Sequence, residues 1–220
     1  MKIHWKEEAP SLAMLIGMFI LAAVTWSTAP DRIPIHWTLS GEPDGFADKF
    51  GGLIGLPLVT VGVYLALLFL PRIDPRRANY DAFRTPYAMI RTTIIGLLLA
   101  MDAFIHLWIR GQKIGTSLFM PVMAGTVMML LGNYLPKLKS NWFVGIRTPW
   151  TLSSEQSWRK THRLAGWLFV ASGAAVIVAS ILNPEKSRVV LFGTLMPTVV
   201  STVAYSYFAW RNDPDKTSRA

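Results

Sequence analysis

Apolar residues gather into six long runs, approximately Ser11–Thr28, Gly51–Leu70, Ala88–Ile109, Ile114–Leu135, Leu164–Leu182 and Val189–Trp210. Runs of about 20 apolar residues make helices that cross a hydrocarbon core roughly 30 Å thick. The pattern predicts an all-α polytopic membrane protein with six transmembrane helices. Two runs are less uniform. The third contains Asp102 and His106, and the fourth contains Pro121. The first run does not read as a cleavable signal peptide. Lys2 and Lys6 are offset by Glu7 and Glu8, and the following TAPDRIPIHW has no small-residue cleavage site.

Composition agrees. Of the 220 residues, 52% are apolar and only 16% charged, against about 25% charged in soluble domains. Cysteine is absent, which excludes disulfide scaffolds, Cys-ligated zinc and thiol catalysis. The formal charge of +9 is explained by topology. An N-in/C-in arrangement puts sixteen of the 22 Lys and Arg residues inside, and only Arg32, Lys49, Arg110, Lys113, Lys186 and Arg188 outside. Basic residues in short loops beside anionic headgroups do not form the basic face of a nucleic-acid-binding domain. No direct nucleic-acid partner is expected; the lipid bilayer is.

Three loops are long enough to carry function. The outer loop, Ala29–Phe50, is acidic, with Asp31, Glu42, Asp44 and Asp48 against Arg32 and Lys49. Pro30 and Pro34 favour an extended chain. Pro43-Asp44-Gly45 reads as the centre of a tight turn, with Gly45 able to take positive φ. This loop reads either as a cap over the helix ends or as a recognition surface. One His36 among scattered carboxylates gives no metal-ligand spacing, so no metal or cofactor is expected.

The inner loop Pro136–Arg163 is the richest segment: NYLPKLKSNWFVGIRTPWTLSSEQSWRKTHRLAGW. Trp142, Phe143, Ile146 and Trp150 among Lys137, Lys139 and Arg147 suit a stretch lying on the membrane surface. Ser153 and Gln156 fit a capping box, with Thr151 or Ser154 as alternative caps. Trp158, His162 and Ala165 share one helical face. Ser, His and Glu occur here without a strand-turn-helix nucleophile context, so no catalytic residue is assigned. The other inner loop, Pro71–Tyr87, offers no motif.

Asp102, His106 and Arg110 recur every four residues and make one stripe on the third helix. Ionisable residues in a span face the bundle or a water-filled cavity. The stripe reads as a structural ladder or as a proton relay. Pro57, Pro121 and Pro197 interrupt three spans, as in a transporter with broken helices. Gly51 and Gly55 are spaced for close helix contact.

The segment PIHWTLSGEPDGFADK resembles the N-terminal uncharacterised domain of bacterial membrane proteins of the SdpI immunity family, and the long inner segment resembles that family's signature region. The resemblance divides the chain into 1–110, an N-terminal membrane region, and 111–220, an SdpI-like region. It implies a non-enzymatic protein of the bacterial cytoplasmic membrane giving immunity to a secreted toxin. It also implies signalling by holding a cytoplasmic repressor. The residues it carries over are Pro34, His36, Trp37, Gly41, Pro43, Asp44 and Gly45 in a toxin-facing outer loop. In the inner motif they are Asn133, Pro136, Asn141, Gly145, Arg147, Thr148, Pro149, Trp150, Thr151, Ser154, Glu155, Trp158, His162 and Gly166. The rival reading is a small proton-coupled transporter or channel using Asp102 and His106.

Overall fold

The computed structural model describes residues 4–38, 42–112 and 115–215. Among the described residues, six helices are long and apolar enough to cross a membrane. They are α1 (Trp5–Thr25), α2 (Lys49–Ile73), α3 (Arg84–Ile109), α4 (Thr116–Tyr134), α6 (Glu155–Leu182) and α7 (Ser187–Arg211). A short α5 (Pro149–Ser153) precedes α6, and 3₁₀ turns lead into α3 at Arg77–Phe83 and follow α4 at Leu135–Lys137. The six apolar runs therefore all become membrane-length helices. Several extend beyond their apolar run; α6 begins nine residues ahead of Leu164, because its first turns are held by polar contacts rather than by lipid.

Pro57, Pro121 and Pro197 do not break their helices: α2, α4 and α7 run through them. The broken-helix expectation is not met. The close glycine contact also lies elsewhere than expected. A Cβ on Gly55 would meet nothing within 4 Å, and one on Gly51 would meet only the local turn at Asp48 and Ala47.

The glycines that do bring helices together are on α4 and α6. A Cβ on Gly125 would lie 2.7 Å from the Gly173 carbonyl oxygen, and one on Gly132 would lie 2.9 Å from that of Gly166. Each pair is spaced two turns along its helix, in antiparallel register. Any larger side chain would force the backbones apart, and in lipid this close packing supplies the association that the hydrophobic effect cannot. Gly166 also receives the Pro136 ring, at 2.6 Å from a Cβ built there.

Helices α1, α2 and α3 pack on one another, α4, α6 and α7 do likewise, and α3 against α4 joins the groups. At one end the acidic loop forms an antiparallel hairpin, β1 (Ile33–Trp37) and β2 (Pro43–Ala47). The helical reading of the fold did not include it. The hairpin is seated by Ile33, fully buried against Gly52 of α2, where a Cβ would sit 2.6 Å from the Ile33 Cβ.

Candidate functional site

The inner motif is built from helix α6 upward. Ser154 caps α6 by accepting the Ser157 N–H at 2.9 Å. The capping box belongs to α5: Thr148 accepts from the Thr151 N–H at 3.1 Å, and Thr151 Oγ1 accepts from the Thr148 N–H at 2.9 Å. The expected Ser153–Gln156 box does not form, because Ser153 ends α5 and returns its hydroxyl to the Pro149 carbonyl. Pro149 opens α5, where its missing N–H costs nothing. Trp150 packs edge-on against Tyr207 of α7, with ring centroids 5.3 Å apart.

One turn into α6, Trp158 and His162 are fully buried and stacked at 4.1 Å. Trp158 Nε1 donates to the Leu138 carbonyl at 2.9 Å. His162 Nδ1 donates to the Trp158 carbonyl at 2.8 Å, and Nε2 accepts the Ile146 N–H at 3.0 Å. A carbonyl partner on one nitrogen and an N–H partner on the other define a neutral imidazole with the proton on Nδ1. Gly145, at φ +111°, lets the chain lie directly on this ring; a Cβ there would overlap His162 Nε2.

Asn141 organises the rest of the loop. Its Oδ1 accepts the N–H groups of Phe143 (2.9 Å) and Val144 (2.7 Å), and its Nδ2 donates to the carbonyls of Lys139 and Val144. Of the four large apolar residues expected on the membrane surface, only Trp142, 48% exposed, remains there. Phe143, Ile146 and Trp150 are half-buried, and Ile146 packs on the core around Trp158. The segment is folded onto α6 instead of lying flat on a membrane surface.

The partner of this loop is the other one, residues 71–87, in which sequence reading found no motif. Asp74, 2% exposed, accepts the Trp142 N–H and the Tyr80 hydroxyl on Oδ2, both at 2.9 Å, and the Arg76 N–H on Oδ1 at 2.7 Å. Arg76 donates to the Leu152 carbonyl at 2.6 Å and to the Ser140 hydroxyl; Asn79 donates to the Ser140 carbonyl at 2.7 Å. The two loops are one polar clasp. The signal available for Asp74 was a lone acid among Arg72, Arg76 and Arg77.

Helix α7 closes the other side. Thr148 and Ser206 hydroxyls meet at 3.0 Å, Ser157 donates to the Ser206 carbonyl at 2.8 Å, and Ser154 donates to Asp213. Arg147 is exposed and donates to the Trp142 carbonyl at 3.0 Å. Glu155 is not its partner: no ion pair joins them among the described residues. Asn133 stands on the exposed face of α4.

A second polar cluster, also missed, pins the start of α1 to α3. Glu8 and Arg91, both almost fully buried, form an ion pair. Tyr64 donates to Glu8 at 3.0 Å, and the Arg91 guanidinium lies 5.5 Å from the Tyr87 ring. Removing one member of such a pair costs about 3–5 kcal/mol, since the other is left charged and buried.

At the opposite end the hairpin carries the outer candidates. Pro43, Asp44 and Gly45 lie in strand β2 rather than in a turn, and Gly45 has no positive φ. Its lack of a side chain serves cross-strand approach: a Cβ there would lie 2.8 Å from the His36 Cβ. His36 Nδ1 donates to Asp44 at 2.5 Å, on the exposed side. Pro34 is buried, and Trp37 pairs with Pro43. Gly41 lies outside the described residues. Trp37 meets Phe104 of α3 edge-on at 5.0 Å, and Phe104 stacks on Phe119 of α4 at 4.6 Å. Trp37 and Phe104 border an apolar cavity of about 520 Å³ between the hairpin, α2, α3, α4 and α7.

Behind the cavity wall, Asp102 and His106 are buried with 3.6 Å between Oδ2 and Nε2. His106 Nδ1 and the Thr25 hydroxyl of α1 are 2.9 Å apart. Among the described residues, neither Asp102 oxygen has a hydrogen-bond partner. Arg110 is exposed at the helix end and takes no part in the pair. The expected three-residue stripe is a buried pair.

Six membrane-length helices with structured loops at both ends make this a multi-pass protein of the cell membrane. Residues 137–206 match the SdpI/YfhL protein family, and residues 13–61 match a domain of unknown function, DUF1648. The chain is 24% identical to the immunity protein SdpI of Bacillus subtilis (strain 168) over 205 residues, covering 92% of this chain and 96% of that one. The family resemblance read from the sequence holds on both segments, and the chain is similar to an SdpI protein along nearly its whole length. No solved structure matches it.

Proposed function

We propose that the protein protects its cell against a secreted antimicrobial toxin. The hairpin end faces outward and meets the toxin, and the clasp faces the cytoplasm. The observation that carries this reading is the end-to-end match to an immunity protein, in a chain whose two ends bear different ordered structures. The acidic hairpin, with His36, Trp37 and Asp44, suits a basic or amphipathic peptide. The basic residues on the clasp side are the reason for placing that end inside.

The finer proposal is that the clasp also holds a cytoplasmic repressor. Arg147 is its contact residue. One hydrogen bond at the surface does little for stability, so a planar guanidinium there is available for a carboxylate partner.

The test is growth of a sensitive host expressing the chain, challenged with concentrated secreted peptides of the source organism. Growth at concentrations that stop the vector control is expected; equal inhibition overturns the reading. Arg147→Ala, at unchanged membrane level, should weaken repressor capture and leave unfolding within about 0.5 kcal/mol of the parent. Unchanged capture and protection would remove the clasp from function and leave the hairpin.

One observation favours a second reading. A fully buried Asp102 without hydrogen bonds, beside the cavity-lining Met101, Phe104 and Ile105, also suits a proton-coupled transporter.

A further inference from the structure

The cavity at the hairpin end has features that neither a toxin-facing cap nor a packing defect requires. It holds about 520 Å³, within the roughly 300–1,000 Å³ of small-ligand sites. It reaches Val59 of α2 and Met101 of α3, which lie about 15 Å and 12 Å from the hairpin-side ends of their helices at 1.5 Å per residue. That depth is hydrocarbon, and the deep walls are apolar. A dry apolar space offers water none of the two to four polar partners it needs.

The mouth is lateral. Val59 is 58% exposed and Phe192 56% exposed, so both border the cavity and also stand on the outer helix surface. Helix α2 packs on α1 and α3, and α7 on α6 and α4. The opening between α2 and α7 therefore faces the bilayer. Among the described lining residues, polar side chains occur only at the rim. There Arg188, in the first turn of α7, is the one permanent cation among the described lining residues, beside Ser117 and Thr38. A cationic rim above an apolar shaft complements one kind of neighbour: an amphiphile with an anionic head and a long tail.

We infer that this cavity is a binding site for one anionic phospholipid from the hairpin-side leaflet, with an acyl chain between α2 and α7 and its phosphate at Arg188. The site is independent of the immunity reading. It gives Gly55 a role: its side-chain position opens onto empty space, and the absent side chain keeps the shaft wide.

Gly55 also supplies the test. Gly55→Phe puts a ring into the shaft, because Gly55 lines the cavity and a Cβ there meets nothing within 4 Å. Gly62→Phe is the control; its Cβ also meets nothing, and Gly62 does not border the cavity. The full chain is reconstituted in vesicles doped with phosphatidylglycerol or phosphatidylcholine bearing a photoactivatable acyl chain. Labelled peptides are then mapped by mass spectrometry.

Labelling concentrated on Met101, Met120 and Leu191 is expected, with a preference of about fivefold for the anionic probe. Gly55→Phe should abolish it, Gly62→Phe should leave it intact, and Arg188→Gln should remove the anionic preference. A free fatty acid probe labelling the same peptides as strongly as phosphatidylglycerol would overturn the phospholipid assignment. Labelling unchanged by Gly55→Phe, or spread evenly over the outer helix faces, would reduce the cavity to a contact with bulk lipid and overturn the proposal.

Discussion

The carboxylate of Asp74 accepts the backbone N–H of Trp142 at 2.9 Å, across 68 residues of chain. Through this bond the loop after α2 holds the loop before α5, so the motif segment is shaped by a part of the chain that carries no motif of its own.

Asp74→Asn tests that dependence. An amide keeps the volume but offers one accepting oxygen where the carboxylate serves Trp142, Tyr80 and Arg76. At least one buried donor loses its acceptor, at about 1–3 kcal/mol. Unfolding in detergent, followed by tryptophan fluorescence, should shift down, with new protease cleavage within residues 138–148. Asp74→Ala should shift it further. A parental midpoint for both variants would show that the clasp contributes nothing to stability.

Gly145→Ala combines two penalties. Its φ of +111° disfavours a side chain, and the new Cβ overlaps the nitrogen of His162 that holds Ile146. Backbone strain of this kind costs about 1–3 kcal/mol. In a His162→Ala background the overlap disappears but the strain stays. The cycle should show coupling of about 1 kcal/mol or more. Additive effects in the same unfolding assay would separate the two residues energetically.

For Asp102 and His106, Asp102→Asn should reach the membrane at the parental level, since the carboxylate oxygens already lack hydrogen bonds. If the pair relays protons, Asp102→Asn and His106→Gln should both abolish a pH-dependent activity at unchanged protein level. Full activity of both variants eliminates the relay and weakens the transporter reading.

Because the chain has no cysteine, single cysteines report topology without background. At Asp31 and Lys186 they should react with an impermeant maleimide in intact cells. At Lys139 and Arg159 they should react only after permeabilisation. Protection of Lys186→Cys in intact cells would invert the orientation and place the hairpin inside.

The six spans were legible because hydrocarbon imposes a length and an apolarity that any single run displays by itself. The polar crowd at Asn141, Thr148, Ser154 and His162 was also legible, since such residues between two spans have no reason to be there unless they are ordered. The hairpin was not, because Pro43-Asp44-Gly45 carries a turn signal locally and becomes a strand only by pairing with Trp37 and His36. Pairing is non-local, and cross-strand contact, not conformational freedom, explains Gly45. For the same reason Asp74 and Glu8 read as ordinary loop and flank acids until folding brought Trp142 and Arg91 to them. The glycines differ by their surroundings alone. Gly51 and Gly55 have the spacing for helix contact, while Gly125, Gly132, Gly166 and Gly173 make it. Span number and apolar length belong to each segment separately. Which small or polar residue meets which partner depends on how two helices cross, and only the tertiary structure decides that.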